Sequence, residues 1–151
     1  MNAERAREFL LSLPHVVEAP QWGGILFWVG DKAIGGKTCA MINPDPGMGM
    51  PVTWPAGEER FNELLELDGL VPAPYMARNF WVSAERWDAL RDREWEQELR
   101  AAYERTMAKL PAGTKKVLAM TKAERKKIIA ERRKVLAAQA DAKAKTKALR
   151  G

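Results

Sequence analysis

Two clusters near the start of the chain have residue types that could do chemistry. Gly30-Asp31-Lys32-Ala33-Ile34-Gly35-Gly36-Lys37-Thr38 follows an apolar strand candidate and ends on Gly-Lys-Thr, the residues with which a phosphate loop wraps a nucleotide phosphate in backbone N–H groups. The spacing refuses that role. A phosphate loop places four residues between its outer glycine and the Gly-Lys-Thr and then starts a helix; here five residues separate Gly30 from Gly36, and Thr38–Ile42 runs straight into Asn43-Pro44. Glycine turns in a hairpin account for the segment instead. His15 and Cys39, with Glu18 to orient the imidazole, are the types of a thiol nucleophile and its base. A lone cysteine in an apolar strand, however, reads as a small core residue, and His15 after Pro14 reads as a turn residue. With one histidine and one cysteine, neither a multi-cysteine metal set nor an intramolecular disulfide is available. No catalytic residue, metal or cofactor is expected.

Charge carries more information. The total of +5 divides sharply: residues 1–113 hold 12 lysines and arginines against 17 aspartates and glutamates, whereas residues 114–151 hold 13 against 3. An anionic body with a cationic appendage points to an acidic partner for the appendage. Lys115, Lys116, Lys122, Arg125, Lys126, Lys127, Arg132, Arg133 and Lys134, followed by Lys143, Lys145, Lys147 and Arg150, place cations all round a helix. Neutralising backbone phosphates by counterion release is the use such a helix suits, without sequence preference. Lys32, Lys37 and Arg78 are further candidates from the body. Anionic lipid suits the helix less well, since Ile128, Ile129, Val135 and Leu136 form a weak membrane face without an aromatic residue. A solvated charged tail is the plain alternative.

The elements that position these residues read as one small α+β domain and an extension. No apolar run approaches the roughly 18 residues that span a bilayer, and Met1-Asn2-Ala3-Glu4-Arg5 lacks a signal-peptide profile, so a cytoplasmic protein is expected. Asn2 is placed to cap a helix over residues 3–13 that ends at Pro14. Val16–Ala19 and Ile25–Val29 read as strands, with residues 25–36 as a hairpin and Thr38–Ile42 and Val52–Trp54 as further strands. Asn43–Pro51, rich in Gly, Pro and Met, is expected as a mobile loop whose Met48 and Met50 pack on whatever lies near. A second helix covers 55–67. Gly69–Val82, GLVPAPYMARNFWV, is the stretch around which the rest is arranged: Pro72 and Pro74 hold Val71–Ala73 extended, and a short aromatic strand follows at Phe80–Val82. Ser83 is placed to cap the next helix, which breaks near Asp92 and then runs through Trp95, Leu99, Ala102, Tyr103, Thr106, Met107 and Leu110 with one apolar side.

Pro111-Ala112-Gly113 reads as a stop and as the domain boundary, giving a body of 1–111, a linker of 112–120 and a basic tail of 121–151. Thr121-Lys122-Ala123-Glu124 is a full capping box, opening a helix from about Lys122 to Gln139 that frays toward Leu149. Six tryptophans stand out, and Trp28, Trp54 or Trp81 would suit base stacking if exposed.

Ala73-Pro74-Tyr75-Met76-Ala77-Arg78 with Trp81-Val82, together with Leu13-Pro14 and Glu18, Gly30-Asp31-Lys32, Trp87 and Tyr103-Glu104 through Leu110-Pro111, resembles the MmcQ/YjbR family of small bacterial proteins over about residues 1–111. The resemblance implies a compact α+β fold likened to secretion chaperones or to a double-winged DNA-binding module, a family for which no catalytic residues are agreed. The expectation is thus an antiparallel sheet of four to five strands flanked by helices, plus a C-terminal basic helix. In function it is a non-enzymatic, nucleic-acid-associated protein, with DNA the partner expected. Two other readings stay open: a protein-interaction or homodimer module using the Trp87–Leu110 helix, and a small-molecule pocket near Tyr75 and Trp81.

Overall fold

A computed structural model describes residues 1–21, 23–45, 47 and 49–150. Asn2 caps α1 (Ala3–Leu11), its side-chain oxygen accepting the Arg5 N–H at 2.8 Å. β1 (Val16–Gln21) and β2 (Gly24–Val29) then form a hairpin, Val16 opposite Val29 and Gln21 opposite Gly24. β2 pairs in turn with β3 (Lys37–Ile42), the register shifting between Phe27 and Trp28. The hairpin expected over 25–36 therefore lies elsewhere. Gly30–Gly36 does not return as a strand but makes a 3-10 turn at Lys32–Ile34, which Asp31 caps by accepting the Ala33 N–H at 2.8 Å.

β4 (Val52–Pro55), β5 (Leu70–Pro72) and β6 (Trp81–Ala84) complete one antiparallel sheet in the order β1-β2-β3-β4-β6-β5, with α2 (Glu58–Leu64) between β4 and β5 in sequence. The sheet has six strands. The sixth, β5, is the segment that Pro72 and Pro74 were expected only to extend. Phe80 is not in β6: it adopts a left-handed conformation at φ 62° after the turn at Ala77–Asn79. Ser83 does not cap a helix either, because it lies inside β6 with its hydroxyl 2.7 Å from that of Thr53 on β4. A 3-10 turn at Trp87–Ala89 precedes α3 (Asp92–Ala108), whose first turn is closed by Glu94 accepting the Arg91 N–H.

One sheet face makes the core. Phe27, Val29, Ile42, Val52, Trp54, Val82 and Ala84 are buried with Ala6 and Leu10 of α1 and Trp95, Leu99 and Ala102 of α3. Burial of this many large apolar side chains, at roughly 1.5–3 kcal/mol each relative to exposure, is what orders the sheet and its helices. The apolar side of α3, expected as a dimer or client surface, is thus turned onto the sheet. On the other face, register brings Val17 opposite Trp28 and Leu26 opposite Met41, all half-buried or exposed. Asn43–Pro51 is closed by the Asn43 N–H donating to the Pro51 carbonyl at 2.9 Å; Met48 lies outside the described residues.

Pro111 does not end the fold. It stands at the N-terminus of α4 (Ala112–Leu118), so the expected linker is largely helical. Thr114 and Leu118 of α4 are buried, and the Thr114 hydroxyl donates to the Ile34 carbonyl at 2.6 Å. Thr121 and Glu124 then exchange the two bonds of a capping box, at 3.2 and 3.3 Å, and open α5 (Lys122–Arg150). No helix among the described residues is long and apolar enough to cross a membrane.

Candidate nucleic-acid interface

A helix of 29 residues rising about 1.5 Å per residue is about 43 Å long, and it touches the body only as far as Arg133 among the described residues. Ile128 and Ile129 pack against the core beside α4, while Val135 and Leu136 are exposed, as is every residue from Ala130 to Arg150. At 100° per residue, Arg132, Lys143, Lys147 and Arg150 fall within about 60° of one another on the helix circumference, a stripe about 27 Å long. Lys127, Lys134 and Lys145 share a second stripe by the same geometry. Such rows can meet successive phosphates of a polyanion.

The structure separates the candidate cations into those with partners and those without. Arg133 pairs with Asp31, the carboxylate that also caps the Lys32–Ile34 turn. Arg125 donates to the Met120 carbonyl at 2.6 Å and Lys115 to the Ala108 carbonyl at 2.9 Å, each satisfying a backbone acceptor near a helix end. Lys116, Lys122, Lys126, Lys127, Arg132 and Lys134 are exposed and have no ion pair among the described residues. Of the tail's cations, then, Arg133 alone is matched by a carboxylate of the body among the described residues.

The three body candidates do not lie together. Lys32 is exposed with its ammonium 6.0 Å from the Trp28 ring centroid, in a hollow shared with Glu18, Asp31 and Arg133. Lys37 and Arg78 meet instead on a different cleft, at the start of β3 and in the Ala77–Asn79 turn, where Arg105 of α3 and Lys109, the residue that ends that helix, join them. Sequence reasoning missed Arg105 and Lys109. Their i, i+4 spacing on one helix face was the available signal, but nothing local says which face meets β3.

The tryptophans divide as well. Trp54 is fully buried in the core, edge-on to Trp95 with centroids 5.2 Å apart. Trp28 and Trp81 are half-buried, the first on the sheet face away from α3 and the second at the cleft of Lys37 and Arg78. Tyr75, at φ 64°, is fully exposed and lines no cleft with Trp81. Cys39 is buried, which pushes its thiol pKa up to about 12, so no thiolate is formed near neutrality. His15, at φ 68°, has its pKa lowered, first by burial and then by the Arg125 guanidinium.

The fold is similar to that in the crystal structure of Deinococcus radiodurans protein DR2400, a DUF419 domain, with a TM-score of 0.62 at 20% identity over 84% of this chain and 87% of that one. No family model matches the sequence. No curated protein matches it either.

Proposed function

We propose that this chain is a non-enzymatic, nucleic-acid-associated protein of the MmcQ/YjbR type that binds DNA with low specificity through phosphate contacts of α5. The fold likeness to a DUF419 domain, a YjbR/MmcQ-like family, supports the family reading. One observation carries the function: from Ala130 onward α5 is exposed on all sides, and every cation there except Arg133 lacks a carboxylate partner among the described residues. A helix that serves only to pack has no use for seven lysines and arginines against two acids over residues 131–150. Free cations in rows release counterions on meeting phosphate, and that entropy drives association without reading bases. The protein-interaction reading is weaker, because α3 spends its apolar side on the sheet.

The test keeps the fold intact. A full-length variant with Arg132, Lys143, Lys147 and Arg150 all changed to glutamine retains the contacts of Ile128 and Ile129 and removes one cation stripe. Fluorescence anisotropy on two duplexes of unrelated sequence is expected to show at least about a tenfold loss of affinity at low salt for both. Equal affinity of variant and parent would refute the assignment to α5, and a loss on one duplex only would refute low specificity.

A further inference from the structure

The cleft where Lys37, Arg78, Arg105 and Lys109 converge is a site in its own right. Its volume is about 480 Å³, within the roughly 300–1,000 Å³ of ligand pockets. None of its lining residues is acidic, and none of the four cations has a carboxylate partner among the described residues. Four uncompensated positive groups from three separate elements are costly to gather without an anion to receive them.

The arrangement is also built rather than incidental. Arg105 donates to the Pro55 carbonyl at 2.7 Å, which fixes one edge of the guanidinium and leaves its other N–H groups free to bond an anion. Gly57 sits beside it at φ 84°, and a Cβ there would lie 2.6 Å from Arg105 Nε, so a side chain at 57 would displace the arginine. Trp81, paired with Pro55 across β4 and β6, and Asn79 complete the lining with an aromatic surface and an amide.

We infer that this cleft binds a nucleotide, its phosphate held by Arg78, Arg105, Lys37 and Lys109 and its ring lying against Trp81. Arginine supplies the planar fork that matches phosphate oxygens, and the lysines add point charge. Trp81 offers the stacking surface that any base can use, and the Asn79 amide can donate to or accept from the base edge. The nucleotide is either free or part of a single strand; both present the same chemistry to the cleft. The site does not depend on α5 and goes beyond the contacts assigned to that helix.

Isothermal titration calorimetry on the full chain tests the inference with four probes: adenosine monophosphate, adenosine, inorganic phosphate and a 5′-phosphorylated tetranucleotide. Adenosine monophosphate is expected to bind at least tenfold more tightly than either adenosine or phosphate, since the cleft engages both parts. In the glutamine variant of α5, tighter binding of the tetranucleotide that is lost on adding Arg78→Gln would identify a strand as the source of the ligand, and equal or weaker binding a free nucleotide. Arg78→Gln and Lys109→Gln, both at exposed side chains, should each weaken the monophosphate at least fivefold, and Trp81→Leu should reduce the advantage over inorganic phosphate. The glutamine variant of α5 should bind the monophosphate like the parent, which keeps failure of the cleft distinct from failure of the helix. Absence of binding at millimolar probe, or binding unchanged in Arg78→Gln and Lys109→Gln, would overturn the inference.

Discussion

Two tryptophans in contact illustrate how the same residue type is held in different ways. Trp95 donates its indole N–H to the Trp87 carbonyl at 2.7 Å, whereas Trp54 Nε1 is buried with no acceptor among the described residues. An unmade buried hydrogen bond costs about 1–3 kcal/mol, so deleting that N–H offsets part of the void left by a smaller ring. Trp54→Phe is therefore expected to cost less than Trp95→Phe by about 1 kcal/mol in urea unfolding; equal costs would show that the orphaned N–H is satisfied. His15 gives a second prediction. Burial and Arg125 hold its pKa below the ordinary 6.5, so folding disfavours its protonation. The stability due to neutral His15 is complete above pH 6.5 and is lost as pH falls through that value toward the lower folded pKa. Glu18, whose pKa is lowered by its bonds to Arg7, acts in a more acidic range. Between pH 7 and 5 the urea midpoint should fall in the parent and fall less in His15→Asn, which also tolerates the left-handed backbone. A parallel decline would exclude His15 as the sensor.

The elements show why some of this fold is legible in a sequence and some is not. The Asn2 cap, the extended backbone held by Pro72 and Pro74 and the Thr121 capping box are set by neighbours in the chain, so residue types alone place them, whereas the pairing of β5 with β6 is tertiary. α4 is not of that kind. Pro111-Ala112-Gly113 has the composition of a stop, yet proline also suits the start of a helix, where its missing N–H costs nothing. What decides is tertiary: Thr114 bonds the Ile34 carbonyl, and a Cβ at Gly35 would lie 2.6 Å from Thr114 Oγ1. The glycine-rich stretch that fails as a phosphate loop is thus the platform on which α4 and α5 rest. Of the candidate site, the cation rows of α5 follow from helical spacing, but the pairing of Lys37 and Arg78 with Arg105 and Lys109 needs the packing of α3 on the sheet. Beyond Arg133, α5 has no tertiary hydrogen bond or ion pair among the described residues, and lone helices in water are marginal. Hydrogen exchange should find residues 122–130 protected well above residues 134–150. Uniform protection along α5 would mean that the distal half has a partner in solution. Thr121→Ala should destabilise the start of the helix by about 1 kcal/mol, read as faster exchange at residues 122–125.

At the scale of the whole molecule the decisive feature is the separation of charge. Residues 1–113 are net acidic and residues 114–151 net basic by 13 to 3, and a single bridge, Arg133 to Asp31, joins the two sets across that division among the described residues. A positive helix that folded back would satisfy itself on those carboxylates and lose its appetite for other anions. Here it is anchored by Ile128, Ile129 and one ion pair and left otherwise unneutralised. The same principle places the cleft of Lys37 and Arg78 within an acidic body, as a local exception that calls for a ligand of its own. The most direct measurement is the salt dependence of duplex affinity for the full chain and for the variant with glutamine at 132, 143, 147 and 150. Four phosphate contacts on one stripe correspond to a slope of log affinity against log salt steeper than about −3, and the variant should lose most of it. A slope that is the same in both proteins, or flat in the parent, would contradict the role given to α5.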